Sequence, residues 1–472
     1  MNRVERTPSF AESFILVAIS LSMLMYNIFI LKGDAQIPLI IATSMISVYA
    51  VVRLGFRWDR LMDSIGNGIR EIASTILIFG IIGMMIATWI MGGIVPTLVY
   101  YGLHLMNPKF FLVMTLLICV VVSTATGSSW TTVGTMGVVF LGIGAGFGIP
   151  MPITAGAAIS GSYFGDKISP MSDTTNMAPA VSGSDLFSHI RHMLVSSGIS
   201  TLIAAVLFFI IGLKYSGASG TPEIITEIES VISSSFHISL LFLIVPITVI
   251  GLGVLKMPSV PSLFLGVVLG VICCCIQGND LGAVFDALNN GFTFTSDSEL
   301  LSSLFTGGGI QNMMWSMSLT LCAICFGSVL EVTQIINVLA GKILSVVRGT
   351  KGLIVATVIT CLTTNIITGD QYLGIILPGK MYKKSYEDYG LAPQNLSRAL
   401  EDSATVTSPL VPWSSCAAVM VAALGIPTVQ YLPYCFFCIV SPIVSIFLGI
   451  TGITITKLPK DESIEKETPV ID

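Results

Sequence analysis

Charge is scarce in this sequence. Of its 472 residues, 10% are Asp, Glu, Lys or Arg, whereas 53% are hydrophobic and the mean hydropathy is +0.87. Soluble domains carry about a quarter charged residues because their surfaces must be hydrated. This composition therefore excludes soluble enzymes and secreted scaffolds. Apolar runs of about 20 residues predict an all-α polytopic membrane protein.

Other chemistries are missing as well. The net charge is only −5 and no basic run occurs, so nucleic acid is not expected as a partner. The 10 cysteines lie in or beside apolar stretches and are typical of small buried hydrophobes, not of a disulfide framework. No G-x-S-x-G elbow with a histidine at membrane depth and no H-E-x-x-H motif occurs. We therefore expect neither enzyme activity nor a bound cofactor.

Basic residues set the expected orientation. Four arginines follow the second apolar run and place that loop in the cytoplasm by the positive-inside rule: Arg53, Arg57, Arg60 and Arg70. The stretches 214–237 and 277–311 contain a single basic residue, Lys214, and are expected outside. Both termini are then cytoplasmic. All but four of the 22 Lys and Arg fall on that side, the exceptions being Lys32, Lys109 and Lys214 outside and Lys167 within a span.

The two halves of the chain resemble each other. MDSIGNGI (62–69) pairs with FDALNNGF (285–292), Thr126-Gly127 pairs with Thr368-Gly369, and Ser169-Pro170 pairs with Ser408-Pro409. Because the charge argument puts corresponding segments on opposite sides, we predict two inverted repeats of five spans, a pattern typical of transporters.

Each predicted repeat contains two interrupted segments. The first repeat covers 1–214, with a re-entrant hairpin at 110–147 and a broken helix at 153–180. An external linker covers 215–237. The second repeat covers 238–456, with a hairpin at 352–381 and a broken helix at 394–424, and 457–472 is expected to be a disordered cytoplasmic tail. The apolar arms of both hairpins are expected to be short.

Candidate site residues lie in these interruptions. Irregular backbone at membrane depth survives only where it lines a protein-enclosed polar site. The interruptions TATGSSWTT (124–132), GDKISPMSDTTN (165–176), TTNIITGDQ (363–371) and EDSATVTSPLVPWSS (401–415) combine Gly or Pro with hydroxyls, amides and carboxylates. Such hard oxygens suit Na⁺, whereas ligands for a transition metal are missing there.

Carboxylates at this depth are costly and are by default functional. Asp166 and Asp173 are the main candidates, and Asp370 and Asp402 would bring carboxylates from the second half. Alternatively, Asp166 and Lys167 form structural contacts near a membrane surface, pairing with Glu401 or Asp402. Lys167 could also neutralise a spare carboxylate or respond to a bound ion. For Glu331, a proton relay and an interfacial anchor remain equally open.

GSSWTTVGTMGV (127–138) and GSYFGDKISPMSDTTNMA (161–178) resemble the motifs of the NhaC family of bacterial Na⁺/H⁺ antiporters. The resemblance implies a scaffold part that forms a homodimer, a mobile transport part with an elevator-like motion, and a place in the bacterial inner membrane. Matched residue by residue, the family pattern points to an ion site formed by Thr126, Ser128, Ser129, Trp130, Thr132, Asp166, Ser169, Asp173, Thr174, Thr175 and Asn176. Second-tier candidates are Lys167, Glu401, Ser408, Ser414, Ser415, Thr368, Asn365 and Glu331.

The leading hypothesis is exchange of Na⁺ for H⁺ by alternating access, with one carboxylate binding either ion. The alternative is Na⁺- and H⁺-coupled exchange of small organic anions such as malate and lactate, to which the resemblance also extends. Against the alternative, no arginine lies in any interruption, so only Lys167 could pair with substrate charge. A channel stays possible, although inverted repeats with broken helices favour alternating access. Membrane lipid is the expected surrounding.

Overall fold

The computed structural model describes residues 5–215, 222–296, 302 and 304–458 and is helical throughout these ranges. In this part of the chain, β structure is limited to two isolated bridges, Phe292 with Gly307 and Leu391 with Lys457. Nine of the described helices are long and apolar enough to cross a membrane, or up to 12 if each bent pair is one span. The prediction of an all-α polytopic membrane protein is therefore confirmed.

Proline favours the start of two helices in the first half, at Pro108 and Pro152, because the first N–H groups of a helix have no partner within it and the proline nitrogen carries no hydrogen. The described first half contains eleven helices. These helices are α1 (Phe10–Met25), α2 (Gln36–Tyr49), α3 (Trp58–Glu71), α4 (Ala73–Met91), α5 (Ile94–Leu105), α6 (Pro108–Thr126), α7 (Ser129–Thr132), α8 (Val138–Gly146), α9 (Met151–Ile168), α10 (Asp173–Ser182) and α11 (Leu186–Tyr215). Short π-helical turns extend α1 and α2 and join α7 to α8.

The second half follows a similar order of long, short and broken helices. These helices are α12 (Pro222–Ser235), α13 (Ile244–Val254), α14 (Ser259–Ile276), α15 (Leu281–Asn290), α16 (Ile310–Val332), α17 (Ile335–Ser345), α18 (Gly349–Thr368), α19 (Gln371–Asp388), α20 (Pro393–Leu400), α21 (Ser415–Leu424), α22 (Thr428–Tyr431) and α23 (Phe436–Thr451). A π-helical turn at Glu401–Thr405 and a 3₁₀ turn at Ser408–Leu410 follow α20, and the chain bends by 49° before α21.

Both hairpins turn at a single left-handed glycine. Gly127 ends α6 with φ 68°, and Gly369 ends α18 with φ 67°. Polar residues on both sides of each glycine are helical, so the arms are longer than expected: 19 residues in α6, and 20 and 18 residues in α18 and α19. The expectation of short arms was wrong, because one turn residue is enough to reverse the chain.

The helices pack in two groups. In one group α4 lies against α14 and α15, and α16 lies against α2, α3 and α4. In the other group α6 packs on α9 and α11, α11 packs on α23, and α18 packs on α19 and α23. Contacts between the groups include those of α16 with α21, α5 with α8 and α6 with α13.

Two regions of the predicted layout are only partly described. The linker predicted at 215–237 contains α12, while 216–221 lies outside the described residues. Of the tail predicted at 457–472, residues 459–472 also lie outside them.

Candidate functional site

The tip of the first hairpin touches the interruption between α9 and α10. A Cβ atom added to Gly127 would lie 2.7 Å from the Cβ of Met171 and 2.9 Å from its carbonyl carbon. The tip can approach this closely only because residue 127 is glycine, which also adopts its left-handed backbone without strain. The hairpin therefore holds Ser128, Ser129 and Trp130 against the end of α9.

Asp166 and Ser129 form the polar centre of this contact. One carboxylate oxygen of Asp166, Oδ2, accepts a hydrogen bond of 3.2 Å from the backbone N–H of Ser129 and one of 2.6 Å from its hydroxyl. Both residues are buried. Because the hydroxyl donates its proton to Asp166, the lone pairs of Ser129 Oγ stay free to bind a cation.

A cavity of about 350 Å³ opens beside this pair, and we call it the Asp166 cavity. Seven of the predicted site residues line it: Thr126, Ser128, Ser129, Trp130, Asp166, Asp173 and Thr174. Asp173 is exposed, whereas Thr174 is buried. Two carboxylates and several hydroxyls thus line one cavity, which is the kind of oxygen set that hard cations bind.

Sequence reasoning missed most of the wall that faces these residues, although Gln371 ends the predicted interruption 363–371. The start of α4 contributes Ser74 and Thr75, the loop between α13 and α14 contributes Lys256 and Ser259, and the start of α19 contributes Tyr372 together with Gln371. None of these residues lies in an interruption of the first half. The repeat alignment could have suggested only the α19 residues, since they follow the second hairpin tip.

Other predicted residues of the first half hold the interruption in shape. The hydroxyl of Thr175 donates to the carbonyls of Asp166 at 3.0 Å and Lys167 at 2.9 Å, where α9 ends and those carbonyls lack helical partners. Similar short bonds to the local backbone or to neighbouring hydroxyls are made by Asn176, Ser169, Ser128, Thr132 and Thr126.

The second hairpin repeats this arrangement without joining the cavity through its carboxylate. Asp370 is buried and caps α19, accepting a 2.9 Å hydrogen bond from the N–H of Leu373, as Ser128 caps α7. The indole of Trp413 donates to the carbonyl of Ile366 at 2.7 Å. The backbone N–H of Ser415 donates to the carbonyl of Gly369 at 3.0 Å.

Hydroxyls and an amide complete the second interruption. Asn365 donates to the carbonyl of Ala404 at 2.6 Å and to the Thr407 hydroxyl at 3.1 Å. Ser414 caps α21 and donates to the carbonyl of Ser408, while Thr368 donates to the carbonyl of Thr364. These residues and Ser415 are buried, and none of them lines the Asp166 cavity.

Asp402 lies in a separate, fully buried charge network. It accepts a hydrogen bond from the Lys167 ammonium and a 3.0 Å bond from the Ser196 hydroxyl, and its second oxygen lies 3.8 Å from Arg398 Nε. Lys167 also donates to Ser441 at 3.3 Å. The structure thus agrees with the interpretation in which Lys167 neutralises a spare carboxylate, and that carboxylate belongs to Asp402.

Two glutamates remain. Glu401 is fully buried next to Asp402, and among the described residues neither of its carboxylate oxygens has a hydrogen-bond partner. Glu331 lies at the exposed end of α16, outside the Asp166 cavity.

Comparison with known proteins shows the family of the chain. The model of the Na⁺/H⁺ antiporter family matches residues 161–453. The chain is 38% identical over 457 residues to the Na⁺/H⁺ antiporter NhaC of Alkalihalophilus pseudofirmus, which covers 96% of this chain and 98% of that protein. It is 35% identical over 465 residues to the arginine/ornithine antiporter ArcD of Halobacterium salinarum, covering 98% and 96%. It is also 35% identical over 448 residues to the malate-2H⁺/Na⁺-lactate antiporter of Bacillus subtilis, covering 95% and 96%. The chain is a multi-pass membrane protein and belongs to the Na⁺/H⁺ antiporter family.

Proposed function

We propose that this protein exchanges Na⁺ for H⁺ at the Asp166 cavity. The observation that carries the proposal is the Asp166–Ser129 pair, a buried carboxylate held by an N–H and a hydroxyl at the wall of a polar cavity. The names of the relatives agree with the proposal, since three of those found at 35–38% identity are Na⁺/H⁺ antiporters.

Competition at one carboxylate explains the exchange. A sodium ion next to Asp166 stabilises the charged carboxylate and expels its proton, and a proton on the carboxylate removes the charge that attracts sodium. Ser129 and Thr174 supply hydroxyl oxygens, and Asp173 adds a second carboxylate at the exposed side of the cavity. One site that carries either ion but not both couples the two flows.

The two halves form inverted repeats with elevator-like alternating access in this proposal. Left-handed residues at corresponding points support the repeats: Gly127 with Gly369 at the hairpin tips, and Lys32 after α1 with Lys256 after α13. The two packing groups support a division into a scaffold (α1–α5 and α13–α17) and a transport part (α6–α11 and α18–α23). The Asp166 cavity lies between them, where a sliding motion would open it to one side and then the other.

The protein would lie in the bacterial inner membrane with both termini in the cytoplasm. The positive-inside argument supports this orientation. Large exposed apolar side chains on α1, α2, α11 and α14 support contact of those helices with lipid. We include in the proposal a homodimer formed through the scaffold part.

Exchange of organic anions such as malate and lactate is the second candidate. The sequence offered only Lys167 as a basic residue in the interruptions that could pair with the carboxylate of such a substrate. Lys167 is buried in its contact with Asp402 and does not line the cavity, but Lys256 does. The exposed Lys256 is the specific observation in favour of a carboxylate ligand.

Purified protein in liposomes that contain a pH dye tests the main proposal. A Na⁺ gradient should move protons in the absence of organic anions, and Asp166→Asn should abolish this movement. Asp63→Asn is the matched control, because Asp63 is an exposed carboxylate on α3, away from the cavity. Full exchange by Asp166→Asn, or an absolute requirement for malate or lactate in the wild type, would contradict the proposal.

A further inference from the structure

Among the described residues that line the Asp166 cavity, Lys256 is the one charged group that cation exchange alone leaves without a role. It lies in the loop between α13 and α14, and its side chain is exposed at the cavity that Asp166 and Asp173 also line. A lone sodium ion would be repelled by this ammonium group, so cation exchange does not explain its place beside a cation site.

The backbone at Lys256 is unfavourable for a lysine. Its φ of 63° is left-handed, which costs a residue with a Cβ about 1–2 kcal/mol, and glycine is the usual residue just after a helix end. Lys32, after the first helix of the other half, has φ 52°. In each half, a lysine thus occupies a left-handed position after a helix at which glycine would be less strained. A positive charge at a helix C-terminus explains part of this preference, but it does not explain a place in the wall of the cavity.

The charges of the cavity indicate what the ligand carries. A sodium ion at Asp166 and Ser129 neutralises the first carboxylate. Asp173 and Lys256 then remain as one negative and one positive group facing the same space. A ligand with one ammonium and one carboxylate group neutralises both, whereas a dicarboxylate would add a negative charge beside two existing carboxylates.

Size and lining agree with an organic ligand. The volume of about 350 Å³ lies within the range of about 300–1,000 Å³ that small-molecule sites occupy, and it is far larger than a bare cation needs. Trp130, Met171, Met257 and Val260 provide apolar surface for an uncharged side chain.

We propose that the Asp166 cavity binds a neutral α-amino acid as a zwitterion together with Na⁺, with the ammonium at Asp173 and the carboxylate at Lys256. Both contacts are charge-assisted hydrogen bonds, which are stronger than bonds between neutral groups. The inference rests on the proposed function, because it takes the Asp166 cavity as the transport site.

Calorimetry on the purified full-length protein in Na⁺ buffer tests the inference. The probes are alanine and leucine, each beside its 2-hydroxy acid, which lacks the ammonium, and its decarboxylated amine, which lacks the carboxylate. At least one of the two amino acids should bind 10-fold or more tightly than both of its analogues. Equal or weaker binding of both amino acids would overturn the inference.

Lysine variants locate the carboxylate contact. Lys256→Met should abolish the advantage of the amino acid over its amine, and Lys256→Arg should keep most of it. Lys32→Met is the matched control, because Lys32 has the same left-handed place after a helix but lines a different cavity with Asp34 and Trp315. An undiminished advantage in Lys256→Met, or its equal loss in Lys32→Met, would contradict the assignment.

The liposome assay separates this inference from the proposed function. Sodium-driven proton movement without any amino-acid binding would leave the proposed function standing and overturn the inference. Amino-acid binding without sodium-driven proton movement would overturn the proposed function instead.

Discussion

At the scale of single residues, Ser129 is as important as the carboxylate it contacts. Its N–H and hydroxyl both donate to Asp166 Oδ2, so it fixes the carboxylate, and in the proposed function its oxygen also binds the cation. We predict that Ser129→Ala raises the Na⁺ concentration for half-maximal exchange about 10-fold, which corresponds to about 1.4 kcal/mol of lost binding. Dye-loaded liposomes over a Na⁺ series measure this.

Ser128→Ala is the neighbouring control for this prediction. Ser128 caps α7 through the N–H of Thr131, so its loss should lower stability by about 1 kcal/mol. Its effect on Na⁺ dependence should be smaller than that of Ser129→Ala. A larger shift in Na⁺ dependence for Ser128→Ala would show that the roles of the two serines are reversed.

The buried pair of Lys167 and Asp402 yields a second prediction at this scale. Asp402 accepts from Lys167 and also lies 3.8 Å from Arg398, and all three side chains are fully buried. Asp402→Leu therefore leaves two buried cations without this carboxylate, which costs about 3–5 kcal/mol and should lower the midpoint of thermal unfolding strongly. Lys167→Met combined with Asp402→Leu should recover part of the loss, because Arg398 alone then lacks its carboxylate. A double variant no more stable than Asp402→Leu alone would contradict this role.

Residue types predicted this site only in part. Carboxylates and hydroxyls in the interruptions stand out in an apolar chain, so Asp166, Asp173 and Ser129 could be named from the sequence. Lys256 could not, because a lysine in a short loop resembles any cytoplasmic charge until folding brings that loop to the cavity. Arg398 was likewise counted with the cytoplasmic charges, yet packing buries it beside Asp402.

At the scale of elements, the hairpin tips depend on glycine for two separate reasons. Gly127 is left-handed, and an added Cβ would also collide with Met171. Gly148 has a nearly identical φ of 69° but no atom within 4 Å of the added Cβ. We predict that Gly148→Ala costs about 1–2 kcal/mol of strain and keeps exchange. Gly127→Ala should abolish exchange, because it also pushes the tip away from Asp166.

Transport in liposomes and thermal unfolding of the two variants check this prediction. Equal exchange by Gly127→Ala and Gly148→Ala would show that backbone strain alone matters at the tip. The comparison isolates the close approach, because both variants share the same backbone cost.

The sequence predicted that the chain crosses the membrane as helices, but it did not predict the helix lengths at the hairpins. Apolar runs fix where a membrane helix lies, since each must match the thickness of the bilayer. A polar tract such as GSSWTT looks like a loop in the sequence, but Ser128 caps a helix that starts at once, so the polar residues extend the arm. Local capping chemistry, and not hydropathy, decides the length of such an arm.

At the scale of the whole molecule, opposite orientation of the halves requires related cavities on opposite sides. Lys256 and Ser259 line the Asp166 cavity, and the other left-handed lysine, Lys32, lines a cavity of about 640 Å³ together with Asp34. If the repeats are inverted, the loop of Ser259 faces the cytoplasm and the loop of Asp34 faces outside.

Cysteine labelling tests this arrangement in a variant whose 10 native cysteines are replaced. Ser259→Cys should react with a membrane-impermeant maleimide in inside-out vesicles, and Asp34→Cys should react in right-side-out cells. Na⁺ should slow the labelling of Ser74→Cys, because Ser74 lines the Asp166 cavity, and should not slow that of Asp34→Cys. Labelling of Ser259→Cys and Asp34→Cys from one side would exclude inverted repeats. Labelling of the two variants from opposite sides, with protection by Na⁺ at Ser74→Cys alone, would place the cation site on the cytoplasmic side in this conformation. An elevator transporter must leave this state to release Na⁺ outside.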